Sequence, residues 1–158
     1  WNTAANWTGG TPSTSTSATT TVTFYNTGAA QLTNSTGTRY NLTQIATTAA
    51  ATSPVNINAT AGNVGFTTGN SIRFNAGTNL NILAGNHKIT GTGVTSGTNY
   101  DVIFNGAASS THTMTIATGA SFEIQGRIMH ATSDNKSYIK NGGGTLIFSG
   151  QNGGSSSW

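Results

Sequence analysis

The sequence has no cysteine, two prolines and only nine charged residues in 158, six Lys or Arg and three Asp or Glu. Without cysteine, disulfides and thiolate metal sites are excluded. The six cations are scattered along the chain, so no basic run can follow a phosphate backbone, and we expect no nucleic-acid partner. No apolar run approaches about 18 residues, so no helical membrane span is expected.

Small and polar residues fill the chain instead. Thr (31), Gly (21), Asn (18), Ala (18) and Ser (16) make up about two-thirds of it, whereas Leu, Ile, Val and Phe together number 27. Thr, Asn and Gly are poor helix formers, and no segment repeats apolar residues at the spacing of an amphipathic helix. The composition therefore predicts an all-β protein.

Apolar residues recur as pairs separated by one residue. Two side chains at this spacing lie on the same face of a strand, so each pair predicts a very short strand with one buried face. The pairs are Val22/Phe24, Tyr40/Leu42, Val55/Ile57, Val64/Phe66, Ile72/Phe74, Leu80/Ile82, Val102/Phe104, Met114/Ile116, Phe122/Ile124 and Leu146/Phe148.

The spacing between pairs also repeats. Three segments, beginning at Phe66, Phe74 and Ile116, share one template: apolar, two residues, Gly, two residues, apolar, one residue, apolar. Each central glycine is expected at a corner that needs positive φ, namely Gly69, Gly77 and Gly119. Short strands joined by such corners predict a right-handed parallel β-helix, or solenoid, with about 24 residues per coil and a single domain over 1–158. The expected common core is Phe66, Ile72, Phe74, Leu80, Ile82, Phe122, Ile124 and Leu146.

An antiparallel β-sandwich is the alternative fold, since it also uses many short strands. Its hairpins favour Asn-Gly or Asp-Gly turns, and the sequence has only Asn105-Gly106, Asn141-Gly142 and Asn152-Gly153. Strands of three or four residues are also shorter than sandwich strands normally are. The spacing favours the solenoid.

The two ends and two outward positions are candidates for self-association. Residues 1–21 lack periodicity and are expected to form an N-terminal cap or loop. Ile103 and Ile147 stand where strand alternation points outward, so either a loop of the same chain or a second protomer would cover them. Large aromatics are enriched in buried interfaces, so Trp1 and Trp158 join Ile103 and Ile147 as candidate contact residues.

Side chains that could carry catalysis are few. The carboxylates are Asp101, Glu123 and Asp134, and each is expected to be a solvated surface charge rather than half of an acid/base pair. No acidic cluster is present to hold calcium. The histidines are expected at the surface without a metal: His87, His112 and His130. We expect no enzyme, no cofactor and no metal site.

The segment 138–152, YIKNGGGTLIFSGQN, resembles the autotransporter-associated β-strand repeat of bacterial surface proteins. The matching positions are Lys140, Gly144, Thr145, Leu146, Phe148, Ser149, Gly150 and Asn152. The opening stretch 6–28 resembles the start of such proteins, whereas the chain departs from the pattern after Asn152. The resemblance implies a parallel β-helix passenger exposed outside the cell.

These observations favour a non-catalytic structural module of an extracellular bacterial surface protein or filament that associates head to tail with copies of itself. One alternative is a carbohydrate-binding, adhesin-type module, which would show exposed aromatics clustered on one face. Another is an ice-binding solenoid with rows of Thr-x-Thr, such as the stretch 111–115. Arg73, Asn81 and Glu123 at outward positions count against the ice-binding alternative.

Overall fold

The structure is a computed structural model that describes Thr8 and residues 11–15, 19–25, 30–34, 39–59, 71–91, 101–130 and 135–150. Within these ranges the regular structure is entirely β, with no helix. The strands are β1 (Thr21–Phe24), β2 (Ala30–Asn34), β3 (Tyr40–Leu42), β4 (Gln44–Thr47), β5 (Val55–Ala59), β6 (Ile72–Phe74), β7 (Gly77–Ile82), β8 (Asn86–Gly91), β9 (Val102–Phe104), β10 (Thr111–Ile116), β11 (Ser121–Ile124), β12 (Ile128–His130), β13 (Ser137–Asn141) and β14 (Thr145–Phe148).

The chain passes through three sheets in cyclic order. Sheet A contains β1, β4, β7, β10 and β13; sheet B contains β2, β5, β8, β11 and β14; and sheet C contains β3, β6, β9 and β12. Each strand pairs in parallel with the strand three positions further along the chain. The prediction of an all-β, solenoid-like fold with parallel strands is therefore confirmed. The antiparallel sandwich is wrong, because every pair among these strands is parallel.

The number of residues in one coil varies along the stack. Val22 pairs with Ile45, 23 positions further on, and Met114 pairs with Lys140, 26 positions further on. Between them, Ile45 pairs with Leu80, which is 35 positions further on. A uniform coil of about 24 residues therefore does not hold for the middle of the stack. Surface connections accept insertions without disturbing strand register, and the extra residues lie in sequence between β5 and β6 and between β8 and β9.

Inward side chains from successive coils form apolar columns. In sheet B, for example, Ile57, Ile89 and Ile124 occupy one register position. Neighbouring strands lie about 4.8 Å apart, so this column buries a continuous apolar row. Six of the expected core residues are at most 1% exposed: Ile72, Phe74, Leu80, Ile82, Phe122 and Ile124. Leu146 is partly buried against this core, and Phe66 lies outside the described residues.

Glycines with positive φ occur where the chain turns between sheets. Gly77, the first residue of β7, has φ +128°, and Gly119, between β10 and β11, has φ +82°. Gly69 lies outside the described residues. The template did not include Gly85 and Gly142, which both have φ +79° and join strands of sheet A to strands of sheet B. A side chain at such φ values strains the backbone.

Residues 11–15 lie beside the first strand of sheet C. The backbone N–H of Asn41 in β3 donates to the carbonyl of Ser13 at 2.9 Å, and its side-chain amide donates to the carbonyl of Thr14 at 2.6 Å. Asn41 is 1% exposed, and Pro12 is buried as well. This described part of the predicted cap region 1–21 therefore occupies the place of an additional strand beside β3.

Candidate functional site

The last described coil differs from the others in exposure. Residues 135–150, called the terminal coil below, contain β13 and β14, which pair with β10 and β11. Alternate side chains are buried in β10 and β11, whereas most side chains of β13 and β14 are exposed. Of the terminal-coil residues that continue the inward columns of sheets A and B, Lys140 and Phe148 are exposed, whereas Tyr138 and Leu146 are partly buried.

Large exposed apolar side chains are concentrated on this coil. The described residues contain five of them, and Ile139, Ile147 and Phe148 of the terminal coil are 45%, 40% and 42% exposed. The other two, Tyr25 and Leu83, lie in different coils. Ile139 and Ile147 stand at outward positions of sheets A and B, and Phe148 stands at an inward position of sheet B. A concentration of large exposed apolar side chains is typical of an interaction site, so the terminal coil is the candidate site.

Three consecutive glycines let the terminal coil pack directly on the coil before it. A Cβ at Gly142 would lie 2.2 Å from the carbonyl oxygen of Ile116, and one at Gly144 would lie 2.3 Å from that of Ala117. The Gly144 N–H donates to the Ile116 carbonyl at 3.0 Å. Backbone therefore rests on backbone at this turn, which explains the glycine run in the segment 138–152.

Lys140 occupies the last described position of one sheet A column. It follows Val22, Ile45, Leu80 and Met114 in register, although it is itself exposed. Its Nζ turns back and donates to the Gly142 carbonyl at 2.5 Å. Lysine commonly extends an aliphatic stem along apolar surface while its charge stays solvated, and edge lysines oppose strand addition. The sheet A edge of the terminal coil is therefore partly blocked by a cation.

The sheet B edge carries no comparable charge at its inward positions, where Leu146 and Phe148 continue the columns of Phe122 and Ile124. On the outer face, the Ser149 hydroxyl donates to Glu123 Oε1 at 2.5 Å and joins the terminal coil to β11. This bond and one from Gln125 lower the pKa of the Glu123 carboxyl.

The structure separates the residues expected to mediate self-association. Ile147 is exposed, in the terminal coil, at an outward position in register with Glu123. Ile103 is also outward in register, opposite Arg73, but it is only 3% exposed. The expectation that Ile103 offers a contact surface is therefore wrong, because the chain itself buries this side chain. Trp1 and Trp158 lie outside the described residues.

Asp101 is not the solvated surface charge that was expected. It is 3% exposed, and its Oδ2 accepts a hydrogen bond from the Arg127 N–H at 2.7 Å. Gly91 and Gly126 make room for this carboxylate, because a Cβ at either position would lie within 2.5 Å of an Asp101 atom. The side chain therefore fastens the start of β9 to the chain just before β12.

Two histidines that were expected at the surface are buried instead. His87 is 3% exposed and His112 is 0% exposed. Each is followed two residues later by an inward apolar residue, Ile89 or Met114, so the same alternation that locates strands could have placed them inside. The side chain of His130 is outside the described set, and no group of three His, Cys, Asp or Glu that could hold a metal occurs among the described residues.

The surroundings of His112 fix its protonated nitrogen. Asn79 donates from Nδ2 to the carbonyls of Thr43 at 2.9 Å and Asn75 at 2.6 Å, so its Oδ1 is left to accept from His112 Nδ1–H at 2.6 Å. The imidazole also stacks on Tyr138 with 5.6 Å between ring centroids. Burial raises the pKa of the Tyr138 phenol. The Tyr138 stack holds the terminal coil to β10, and the Asn79 bond holds β10 to β7.

The outer faces of the sheets differ in charge. Outward positions of sheet A carry uncharged side chains, among them Thr21, Thr23, Thr78, Asn81, Thr113 and Thr115. Arg73 and Glu123, which counted against ice binding, belong to sheets C and B instead. Exposed aromatics form no cluster among the described residues, since Tyr25 and Phe148 lie in different coils. Carbohydrate binding and ice binding stay predictions.

No family model, curated protein or solved structure matches this chain. In the ranges that the structure describes, no helix is long and apolar enough to cross a membrane.

Proposed function

We propose that this chain is a non-catalytic structural module of an extracellular bacterial surface protein or filament, built as a right-handed β-solenoid. One observation carries the proposal: parallel strands stack in three sheets, and their apolar columns continue into a terminal coil with exposed apolar side chains. Each coil of a solenoid contacts only its neighbours, so such a stack can be extended by adding further coils. The resemblance of 138–152 to autotransporter repeats supports the bacterial surface location.

Head-to-tail association with copies of the same chain is the second part of this proposal. A strand at the end of a stack presents backbone N–H and C=O groups to which another strand can pair. We place the contact on β14, where Ile147 and Phe148 are exposed, rather than on β13, where Lys140 opposes it. The two ends of the stack are different surfaces, so the contact is heterologous and extends into a filament unless a rotation closes it.

Replacement of Ile147 by lysine should weaken this self-association at least tenfold, because a lysine on an edge strand opposes pairing with a further strand. Within the chain the new lysine stands in register with Glu123, so the fold should tolerate it. Sedimentation velocity at several concentrations measures the association of the wild type and the variant.

Leu83→Lys is the matched control, because Leu83 is 45% exposed and lies between β7 and β8, away from the terminal coil. It should leave the association unchanged. A wild type that is monomeric at every concentration contradicts the head-to-tail contact. An equal loss in both variants contradicts its placement on β14.

A further inference from the structure

At the corner between sheets A and B, the His87 side chain connects its own strand, β8, with the start of β5 and with the turn that precedes β8. Its ring occupies a core column, in register with Phe122 of the next coil. The backbone N–H of Val55, in the preceding coil, donates to His87 Nδ1 at 3.0 Å. The other ring nitrogen, Nε2, lies 2.7 Å from the carbonyl of Ala84 in the adjoining turn.

These contacts require a neutral imidazole of one tautomer. An amide N–H can only donate, so Nδ1 must be unprotonated and accept from Val55. The single ring proton is then on Nε2 and is donated to the Ala84 carbonyl. A second proton on Nδ1 would face the Val55 N–H, donor against donor, at a site that is 3% exposed.

We propose that His87 makes this solenoid sensitive to mild acid: uptake of a second proton by the ring opens the corner formed by residues 48–55 and 83–87. The Val55 bond is lost first, because its acceptor becomes a donor. The turn 48–54 and the turn 83–85 then separate, and the two central coils lose the contact that aligns them. The inference is independent of the proposed self-association.

No charge in this corner compensates for a cationic His87. Residues 48–59 and 83–86, which surround it, contain no titratable side chain, and the next strand contributes Phe122. Lys88 and Glu123 stand one position along β8 and β11, where the alternating side chains point outward. Their charges therefore lie on the opposite face of sheet B.

The pH window follows from linkage. Burial lowers the pKa of His87 in the folded chain, although nearby carbonyls at Ala84 and Ala51 partly oppose the shift. In the unfolded chain histidine titrates near pH 6.5. A lowered folded value means that the stabilisation is complete above about pH 6.5 and is lost as the pH falls toward the folded value. The sequence has three Asp or Glu side chains. Such carboxyl groups titrate near pH 4, below most of the pH range in which His87 lowers the stability.

Hydrogen exchange of the wild-type chain tests the proposal locally. The reporter is the Val55 amide, and the reference is the Ala117 amide, which donates to Ile82 at 2.8 Å at the same corner one coil further on. After correction for intrinsic exchange rates, protection of Val55 should fall by up to about tenfold per pH unit below pH 6.5 relative to Ala117. Parallel changes at both amides, or no change at either, would overturn the proposal.

His87→Asn separates titration from packing. Asparagine can place an acceptor oxygen near the Nδ1 position, but it does not titrate. The variant should be less stable than the wild type at pH 7.5, yet its urea midpoint should change less between pH 7.5 and 5. His112→Asn is the control and should keep the acid-dependent loss of Val55 protection. An unaltered pH dependence in His87→Asn assigns the acid response to another group and contradicts the inference.

Discussion

Replacement of Gly85 by alanine should lower the free energy of unfolding by about 2–6 kcal/mol, because backbone strain and overpacking act together. Gly85 has φ +79°, in the left-handed region. A Cβ there would lie 2.5 Å from the Ala51 carbonyl oxygen and 2.7 Å from His87 Nε2. The carbonyl belongs to a neighbouring coil and cannot withdraw without opening the corner.

Gly119→Ala is the matched control for this prediction. Gly119 has φ +82°, but a Cβ there would meet nothing within 4 Å. The Gly119→Ala substitution should therefore lower the free energy of unfolding by only about 1–2 kcal/mol, the strain of a left-handed backbone at a residue with a side chain. Urea unfolding of both variants isolates the steric part, and equal losses would contradict the close stacking of the two coils at Gly85.

Truncation of Phe74 to alanine should cost about 3–5 kcal/mol, the range for removing a buried aromatic ring. Phe74 is 0% exposed and stacks on Phe104 of the next coil, with ring centroids 5.7 Å apart and planes inclined by 22°. A cavity at this position removes packing from both coils. Chemical denaturation measures the loss.

Thr115→Ala serves as the comparison, because Thr115 lies on the outer face of sheet A at a half-buried position. A surface change of this kind should stay within about 0.5 kcal/mol. A loss below about 1 kcal/mol in Phe74→Ala would show that this ring is not part of a packed column.

The strands that the sequence reveals are those with two successive inward apolar residues. Ile72/Phe74 and Val102/Phe104 locate β6 and β9 because a spacing of two selects one face of a strand. No apolar pair marks β8, since one of its inward residues is His87. The apolar pairing likewise misses β13, whose inward residues are the half-buried Tyr138 and the exposed Lys140.

Properties that depend on contacts between distant segments were not predictable in this way. The length of a coil depends on how many residues each corner accommodates, and the strand register alone reveals it. Ile103 is outward by alternation, and its burial depends on what packs against the outer face of sheet C. Asn41, which also stands at an outward position of sheet C, illustrates such a contact. Its side-chain amide donates to the carbonyl of Thr14, 27 positions away in sequence.

The candidate site was predictable in part. Alternation placed Ile147 outward, and the structure shows it exposed. The position of Lys140, which opposes strand addition at the sheet A edge, could not be predicted from the sequence, because it depends on the pairing of β13 with β10. The burial of His87 was within reach of the same alternation, but its Val55 contact requires knowing which coil lies next to β8.

The central claim is that successive coils stack in parallel with the stated register, and engineered disulfides test it most directly in a chain without cysteine. Asn81 and Thr115 are direct partners in β7 and β10, about 4.8 Å apart, within the Cα range that a disulfide spans. Ala46 and Thr115 are separated by one further strand, because Ala46 pairs with Asn81. Oxidation of the Asn81→Cys/Thr115→Cys variant should form an intramolecular disulfide, detected by mass spectrometry, while Ala46→Cys/Thr115→Cys should form none. Cross-linking of the second pair without the first would contradict the stack.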